Sequence, residues 1–374
     1  MRKLNSIFAL AVAAFALVSA QHVLAQGPPN QPDMTIDAAT RRQVIEGVLK
    51  RLNDSYVFPE VAKKMETAIR ARVENKEYEQ MTSASAFAQS LTAHLQEVSR
   101  DKHLRVRYSA DAIPVRDEKE REPSVEERER FRRFGQRINY GFERVERLPG
   151  NVGYLDFRGF FDPEGGAETV AAAMSFVSNT DALIIDMRKN GGGDPRMVAL
   201  VCSYLFGSEP VHLNSLYWRE GNRTEEFWTH KTVSGKRYEN KDVYVLTSNH
   251  TFSGAEEFSN NLKTLKRATI IGETTGGGAH PGDSFRIAEH FGMFVPTGRA
   301  ISPITKTNWE GTGVKPDIET PADHALKTAH LLAVQKAVEK TTDERLKGDL
   351  KRLGENLQKE LDELKKNQKT SAGK

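Results

Sequence analysis

Three amphipathic segments near the N-terminal end of the chain predict α-helices. Apolar residues recur in each segment every three or four positions, which places them on one face of a helix. The three apolar stripes consist of Val44, Ile45, Val48, Leu49 and Leu52; of Val61, Met65, Ile69 and Val73; and of Phe87, Leu91, Leu95 and Val98. A helix with one apolar face has to bury it, so we expect the three helices to pack together as a small bundle.

From about Asn139 onwards, short apolar runs alternate with helical patterns. Four segments rich in β-branched and aromatic residues predict strands, namely VGYLDFRGF, DALIIDMR, DVYVLTSN and ATIIGE. The segments PRMVALVCSYLF and GAEEFSNNLKTL lie between successive strands of this set and predict helices. Because strands that alternate with helices form βαβ units, we expect an α/β fold with a largely parallel sheet.

Two further segments have their own patterns. RDEKEREPSVEERERFRRFGQR carries many charges and no clear apolar face, which predicts a linker or a solvated helix. Near the C-terminal end, leucines at positions 346, 350, 353, 357, 361 and 364 step by three or four residues, close to a heptad pattern. Such a helix can dock on its own domain or form a coiled coil with a second copy, and both alternatives stay open.

The composition narrows the class of protein. A formal net charge of +3 is small for 374 residues, so we expect no nucleic-acid partner. Cys202 is the single cysteine, which excludes an intramolecular disulfide, and its apolar neighbours indicate a buried helix position. No clustered histidine and cysteine ligands or HExxH motif occur, so the sequence predicts no metal and no organic cofactor.

The first residues have the pattern of a secretory signal peptide. Arg2 and Lys3 precede the apolar run IFALAVAAFALVSA, and Val23 and Ala25 stand at the small-residue positions of a cleavage site. Cleavage after Ala25 would leave a periplasmic or secreted protein without a stable membrane anchor. An uncleaved anchor is the alternative, but the run is shorter than the ~20 residues of a membrane span.

The segment SNHTFSGAEEF raises the question of whether Ser253 is a helix cap or a nucleophile. Ser253 lies between a predicted strand and a predicted helix, where a hydroxyl is exposed beside free helix N–H groups. Serine is also a preferred N-cap, and Glu256 three residues later completes a capping box. We expect Glu256 and Glu257 to be cap and helix-surface residues.

A second segment, IIDMRKNGGGDP, places three glycines between a predicted strand and a predicted helix. It is not a Walker loop, since no GK[ST] follows, and it lacks GxGxxG. Its N–H groups could instead complete an oxyanion hole together with the Ser253 turn. For that hole we favour the N–H groups of Gly192 and Gly254. Gly193 is a close substitute for Gly192 and is also a candidate substrate contact.

Four segments in order, IIDMRKNGGGDP, TSNHTFSGAEEF, IIGETTGGGAHPG and GTGVKPDI, resemble the signature segments of the S41 serine peptidases. This is the family of the C-terminal processing, or tail-specific, proteases. The similarity is greatest to the branch of interphotoreceptor retinoid-binding protein and the tricorn core protease, and YVFPEVAKKM and DKHLRVRY resemble that branch's helical domain and junction. The resemblance spans roughly Ile36 to Ile318 and implies a ClpP/crotonase-like α/β core.

The resemblance also implies catalytic residues. The processing proteases carry a lysine base after the nucleophile helix, but the matching position here is Gly278, which argues against a Ser–Lys dyad. The tricorn-like branch uses serine, histidine and glutamate, and the matching residues are Ser253, His103 in DKHL and Glu310 in NWEGTGVKPD. His250 and His280 are rival bases, and Gly278 and His280 are candidate substrate contacts.

The sequence patterns and the resemblance together divide the chain into a signal peptide (1–25), an N-terminal helical domain (35–100), a junction with a charged linker (101–136), an S41 catalytic domain (137–322) and a C-terminal helical tail (323–374). The resemblance implies a serine peptidase that hydrolyses a protein or peptide substrate through an acyl-enzyme. The signal-peptide pattern predicts that it is exported, and the leucine pattern of the C-terminal helix allows a homo-oligomer. Two alternatives stay open on the same fold, namely a non-catalytic binder of a retinoid or lipid and an esterase acting on small substrates.

Overall fold

The computed structural model describes residues 31–115 and 124–372. The predicted signal peptide and part of the charged linker lie outside the described residues. Within the described part of the chain, no helix combines the length and the apolar character that crossing a membrane requires.

The three N-terminal helices form as predicted. They are α1 (Ala38–Ser55), α2 (Pro59–Glu74) and α3 (Ala84–Ser99). The side chains of Asp37 and Ser83 accept N–H groups of the first turns of α1 and α3, and the proline at the start of α2 has no N–H to satisfy. Most residues of the apolar stripes are buried, as their spacing indicates, but Val73 near the end of α2 is 44% exposed.

The helices do not bury these stripes against one another alone. Their core also includes a three-stranded antiparallel sheet that contains Phe291, Met293 and Val295. This sheet has the order β1–β10–β9, formed by β1 (Arg105–Tyr108), β10 (Phe291–Pro296) and β9 (Gly282–Ala288). The expected bundle is therefore a helix-on-sheet layer, since a hairpin from the C-terminal half completes its core.

A six-stranded, mostly parallel sheet forms the centre of the second half, in the order β12–β8–β7–β4–β3–β2. Its strands are β2 (Phe142–Leu148), β3 (Val152–Phe157), β4 (Ala182–Asp186), β7 (Asp242–Thr247), β8 (Thr269–Gly272) and β12 (Ile318–Glu319). Only β2 runs antiparallel to its neighbour among the paired strands of this sheet. The predicted α/β architecture is confirmed.

Helices cover both faces of this sheet. One face contacts α5 (Pro163–Val177), α6 (Pro195–Leu205) and α7 (Gly254–Thr264), and the other face contacts α8 (Ala322–Lys340). A smaller antiparallel sheet, in the order β11–β5–β6, is formed by β5 (His212–Trp218), β6 (Arg223–Trp228) and β11 (Gly298–Ile301). As predicted, Cys202 is buried, on α6.

The two charged segments are helical where the structure describes them. Helix α4 (Val125–Arg137) is mostly exposed, as expected of a solvated helix, and Ser124 with Glu127 forms its capping box. Helix α9 (Glu344–Ala372) packs along α8 through its buried Leu350, Leu357 and Leu361. The leucines of α9 therefore pack against the protein's own helix α8. The homo-oligomer stays a prediction.

Candidate active site

Ser253 occupies a strained turn between a strand and a helix. Strand β7 ends at Thr247, and α7 begins at Gly254. Ser253 itself has φ 54° and ψ −121°, a conformation that residues other than glycine rarely adopt. Such a backbone costs about 1–3 kcal/mol and persists only where the surroundings impose it. A sharp strand-to-helix turn of this kind holds a serine hydroxyl out of the backbone, as in nucleophile elbows.

The carboxylate of Glu256 connects this turn to the loop that follows β8. Its Oε2 accepts the N–H groups of Ser253 at 2.9 Å and of Gly278 at 2.8 Å. Its Oε1 accepts the N–H of Gly277 at 2.6 Å and the hydroxyl of Thr275 at 2.5 Å. One side chain therefore fixes the nucleophile turn and the glycine-rich loop relative to each other.

Glu256 and Glu257 are not helix-surface residues. They are 0% and 5% exposed, because α7 packs between α6, β5 and β8 rather than against the core with one face only. Burial raises the pKa of Glu256 to about 7, although its four hydrogen bonds lower it. Burial raises the pKa of Glu257 to about 8. The expected cap role is confirmed for Glu256, whose carboxylate accepts the Ser253 N–H.

The glycine loop after β4 lies directly against the Ser253 turn. A Cβ on Gly192 would come within 2.6 Å of Gly254 N and 2.8 Å of Ser253 Cβ, so only glycine allows this approach. The N–H of Gly192 donates to Asn190 Oδ1 at 2.8 Å, and its carbonyl accepts the N–H of Phe160 at 2.9 Å. The N–H of Gly192 is thus already used within the loop.

Gly193 lies beside Gly254, at the start of the nucleophile helix. Phe160 pairs with the backbone on both sides of Gly193: its N–H donates to Gly192 O, and its carbonyl accepts the N–H of Asp194. In such a bridge the N–H of Gly193 itself points away from Phe160. Gly193 N lies 3.0 Å from the position of a Cβ on Gly254. Gly193 has φ 141°, and a Cβ there would lie 2.0 Å from Phe160 O, which requires glycine.

His103 stands just before β1 and reaches the same region from the N-terminal half. Its side chain is buried, and its ring centroid lies 4.6 Å from that of Phe252, the residue before Ser253, and 6.0 Å from that of Phe294. A Cβ on Gly278 would come within 2.6 Å of His103 Cε1, so the glycine makes room for the ring. The backbone N–H of His103 donates to Asp101 Oδ1 at 3.0 Å.

Asp101, whose carboxylate accepts the His103 N–H, also belongs to a group with His280 and Glu310. His280 Nδ1 is 2.8 Å from Asp101 Oδ2 and 3.5 Å from Glu310 Oε2, and Glu310 Oε2 also accepts the N–H of Ala279 at 2.5 Å. Burial and the charge of Asp101 raise the pKa of Glu310 to about 7, against the charge of His280. The site is therefore a mostly buried group of two carboxylates and two imidazoles beside a strained serine.

Comparison with known protein families identifies the family of this chain. Residues 151–320 match the model of Peptidase family S41. Residues 37–133 match the model described as the N-terminal domain of Peptidase_S41 in eukaryotic IRBP. The two matches together cover more than half of the chain. The chain belongs to peptidase family S41.

Two solved structures resemble this S41 protein over most of its length. A candidate peptidase from Parabacteroides merdae has 18% sequence identity and a TM-score of 0.56, with 78% of this chain and 96% of that chain covered. A lipoprotein from Streptococcus agalactiae has 15% identity and a TM-score of 0.51, with 82% and 98% covered. At these identities the similarity concerns the fold.

The S41 fold brings most of the predicted site residues together. Gly192, Gly193, Ser253 and Gly254 form one surface, and Glu256 with Gly278 joins it to the region of His103, His280 and Glu310. His250 does not enter this group. Its side chain is exposed, although it stands only three residues before Ser253. His280 is buried against Asp101 rather than open to a substrate, with its side chain 7% exposed.

The sequence reasoning missed Asp101, Asn190 and the linking role of Glu256. Asp101 stands two residues before His103, and this D-x-H spacing was the available signal. Two residues so close in a short loop can enter the same site. Asn190 stands beside the glycines whose loop it orders. The role of Glu256 had no separate signal, since a capping box accounts for a glutamate at that position.

Asp101, His280 and Glu310 also form a possible metal-ligand group within residues 31–115 and 124–372. Their donor atoms lie within 4.8 Å of one another. Ligands of a tetrahedral zinc ion at its usual bond lengths stand about 3.3 Å apart. The 2.8 Å between His280 Nδ1 and Asp101 Oδ2 is shorter and typical of a hydrogen bond. The geometry thus favours a proton between these two groups over a metal ion.

Proposed function

We propose that this protein is a serine peptidase, in which Ser253 attacks a peptide carbonyl and forms an acyl-enzyme. The observation that carries this proposal is the strained Ser253 turn, with φ 54°, pressed against the glycine loop. A serine that only caps a helix needs no unfavourable backbone, whereas a nucleophile gains exposure from it. Membership of peptidase family S41 supports the same assignment.

The oxyanion hole is proposed to use the N–H groups of Gly193 and Gly254. Gly193 replaces Gly192 in this role, because the N–H of Gly192 donates to Asn190. Gly254 begins α7, where the N–H groups have no helical partner and the helix dipole is positive. Each such donor contributes on the order of 10²–10³-fold to the rate of acyl transfer.

His103 is the proposed general base, and Glu310 its carboxylate. The imidazole would take the proton of Ser253 as the C–O bond forms, and then give it to the leaving amine. A water molecule would repeat these steps on the acyl-enzyme. The imidazolium forms between the rings of Phe252 and Phe294, where little solvent stabilises it. A carboxylate nearby offsets that cost, and Glu310 is the carboxylate proposed for this role.

A fluorophosphonate probe tests the proposal without knowledge of the substrate, since it reacts with activated serines. We expect labelling of the wild type and none of Ser253→Ala or His103→Ala. Ser175→Ala, an exposed serine on α5, and His250→Ala are the matched controls and should label like the wild type. Undiminished labelling of Ser253→Ala would refute the nucleophile. Tight binding of a fluorescent fatty acid with no labelling would point to the carrier alternative.

We also propose that the protein is exported, on the charge and apolar pattern of residues 1–25. N-terminal sequencing of the mature protein from cells should begin at Gln26. A mature protein that begins at Met1 would contradict cleavage. The substrate class proposed is a protein or peptide chain, and digestion of an unfolded protein followed by mass spectrometry would report the bonds cut.

A further inference from the structure

Asp101 lies at the centre of the buried group and holds three residues from three parts of the chain. It is 0% exposed. Its Oδ1 accepts the backbone N–H of His103 at 3.0 Å. Its Oδ2 contacts His280 Nδ1 at 2.8 Å and accepts the Tyr56 hydroxyl at 3.2 Å. A buried carboxylate charge is costly unless a cation stands nearby.

A second carboxylate, Glu310, adds to this need. Its side chain is 16% exposed, and its Oε2 lies 3.5 Å from His280 Nδ1. An oxygen of Glu310 lies within 4.8 Å of one of Asp101, and two buried negative charges this close repel each other strongly unless one is protonated or a positive charge stands between them. The proposed catalysis needs Glu310 in its ionised form, so the source of that positive charge matters.

Few other charged groups face this pair. The guanidinium of Arg299 lies over the rings of Phe58 and Tyr217, at 5.7 and 5.1 Å, and acts on His280 as a second positive charge. The exposed Lys102 ammonium donates to a backbone carbonyl. Glu256 adds negative charge near Glu310, and Tyr56, which donates to Asp101, is neutral at physiological pH. The His280 imidazole contacts both carboxylates.

We propose that His280, held by Asp101, is a positioning residue whose imidazolium keeps Glu310 ionised for catalysis. The proposal rests on the proposed function, in which Glu310 serves His103. His280 does not touch the reacting atoms in this scheme. It acts through Glu310, and Asp101 fixes both the orientation of its ring and the backbone of His103.

The protonation equilibria agree with this geometry. Burial lowers the pKa of the His280 imidazolium, but the hydrogen bond to Asp101 and the charges of Asp101 and Glu310 outweigh it, and the net pKa is raised. Removal of the imidazolium leaves Glu310 beside Asp101 alone, which raises the pKa of Glu310 above its present value of about 7. The fraction of ionised Glu310 at neutral pH would then fall.

The test is the pH dependence of the fluorophosphonate labelling rate from pH 5.5 to 9.5, in the wild type and in His280→Gln. An opposite charge nearby shifts a carboxyl pKa by about 1–3 units, so we expect the acid limb to move up by roughly 1–2 units. Labelling at pH 7 should fall roughly 5- to 50-fold and at pH 9.5 by less than about 3-fold. His330→Gln, an equally buried histidine remote from the site, is the matched control.

A structural role alone would lower the rate by one factor at every pH, and that result, or an unchanged profile, overturns the proposal. His280→Lys restores a cation and should bring the acid limb back towards that of the wild type. Far-UV circular dichroism melts check that each variant folds.

If these variants do not fold, ¹⁵N NMR of the histidines in the wild type decides the question. One imidazole should remain doubly protonated above pH 7.5, and loss of this proton from every histidine below pH 7 refutes the ion pair. A wild type that is not labelled at any pH contradicts the proposed function instead, and the NMR measurement still tests the ion pair on its own.

Discussion

Replacement of Glu257 by glutamine should make the protein more stable at alkaline pH and leave it unchanged at acid pH. Glu257 is 5% exposed on α7, and its Oε1 has no hydrogen-bond partner among the described residues. Burial raises the pKa of its carboxyl from 4.5 to about 8, partly offset by the nearby side-chain amides of Asn214 and Asn261. The folded protein therefore retains a proton that the unfolded chain releases near pH 4.5.

The sign of the effect follows from this difference. Between pH 4.5 and about 8, the folded state binds more protons than the unfolded state, so the free energy of unfolding falls as pH rises. At 1.36 kcal/mol per unit of pKa, the full loss would be roughly 5 kcal/mol. Relaxation around a buried charge and entry of water reduce it, and we expect about 2–4 kcal/mol. Glutamine stays neutral and avoids this loss.

Urea unfolding at pH 5, 7 and 9, followed by far-UV circular dichroism, measures the difference. The Glu257→Gln variant should stay within about 1 kcal/mol of the wild type at pH 5 and exceed it by about 2–4 kcal/mol at pH 9. Glu256 and Glu310 titrate in both proteins, so their contributions cancel. Glu168→Gln, on the exposed face of α5, should stay within about 0.5 kcal/mol throughout. A difference that is constant with pH would show that Glu257 does not carry a raised pKa.

Two further substitutions test the backbone. Gly193→Ala would place a Cβ 2.0 Å from Phe160 O and should reduce fluorophosphonate labelling by about 100-fold or more, by displacing the oxyanion hole. Its control is Gly311→Ala, at a position that also has positive φ but no atom near the new Cβ, and this variant should keep most of the labelling rate. Equal losses in the two variants would contradict the role of Gly193. In α9, Gly348→Ala meets open space and should raise the free energy of unfolding by about 0.5–1 kcal/mol in urea titrations, whereas a loss would show that this part of α9 is not helical.

Strongly periodic elements could be predicted from the sequence, because the spacing of the apolar residues within each element shows which face is buried. The stripes of α1 to α3 and the apolar runs of β3, β4, β7 and β8 belong to this kind. The sheet β1–β10–β9 was missed, since its strands alternate less regularly and β9 and β10 lie far along the chain from the helices they pack against. Nothing local in GDSFRIA indicates that its apolar side chains complete the core of an N-terminal helical layer.

The candidate site divides in a similar way. Ser253 and the glycine loop could be located because turn chemistry between a strand and a helix is local. His103 and Glu310 came only from the family resemblance, because no spacing in the chain relates them to Ser253. Glu257 was misplaced on the helix surface, since a carboxylate on a short helix is usually solvated and the packing of α6, β5 and β8 around α7 buries it. Partners distant in sequence determine which charges are buried.

The four hydrogen bonds of the Glu256 carboxylate also constrain any exchange of parts between relatives. A loop transplanted into positions 275–278 has to offer a hydroxyl and two backbone N–H groups at matching places. Without them, the buried Glu256 carboxylate loses its hydrogen bonds. The same holds for the serine turn, whose own N–H donates to Oε2 of this carboxylate. Chimaeras should therefore retain activity when both segments come from one parent, and lose it when they come from two.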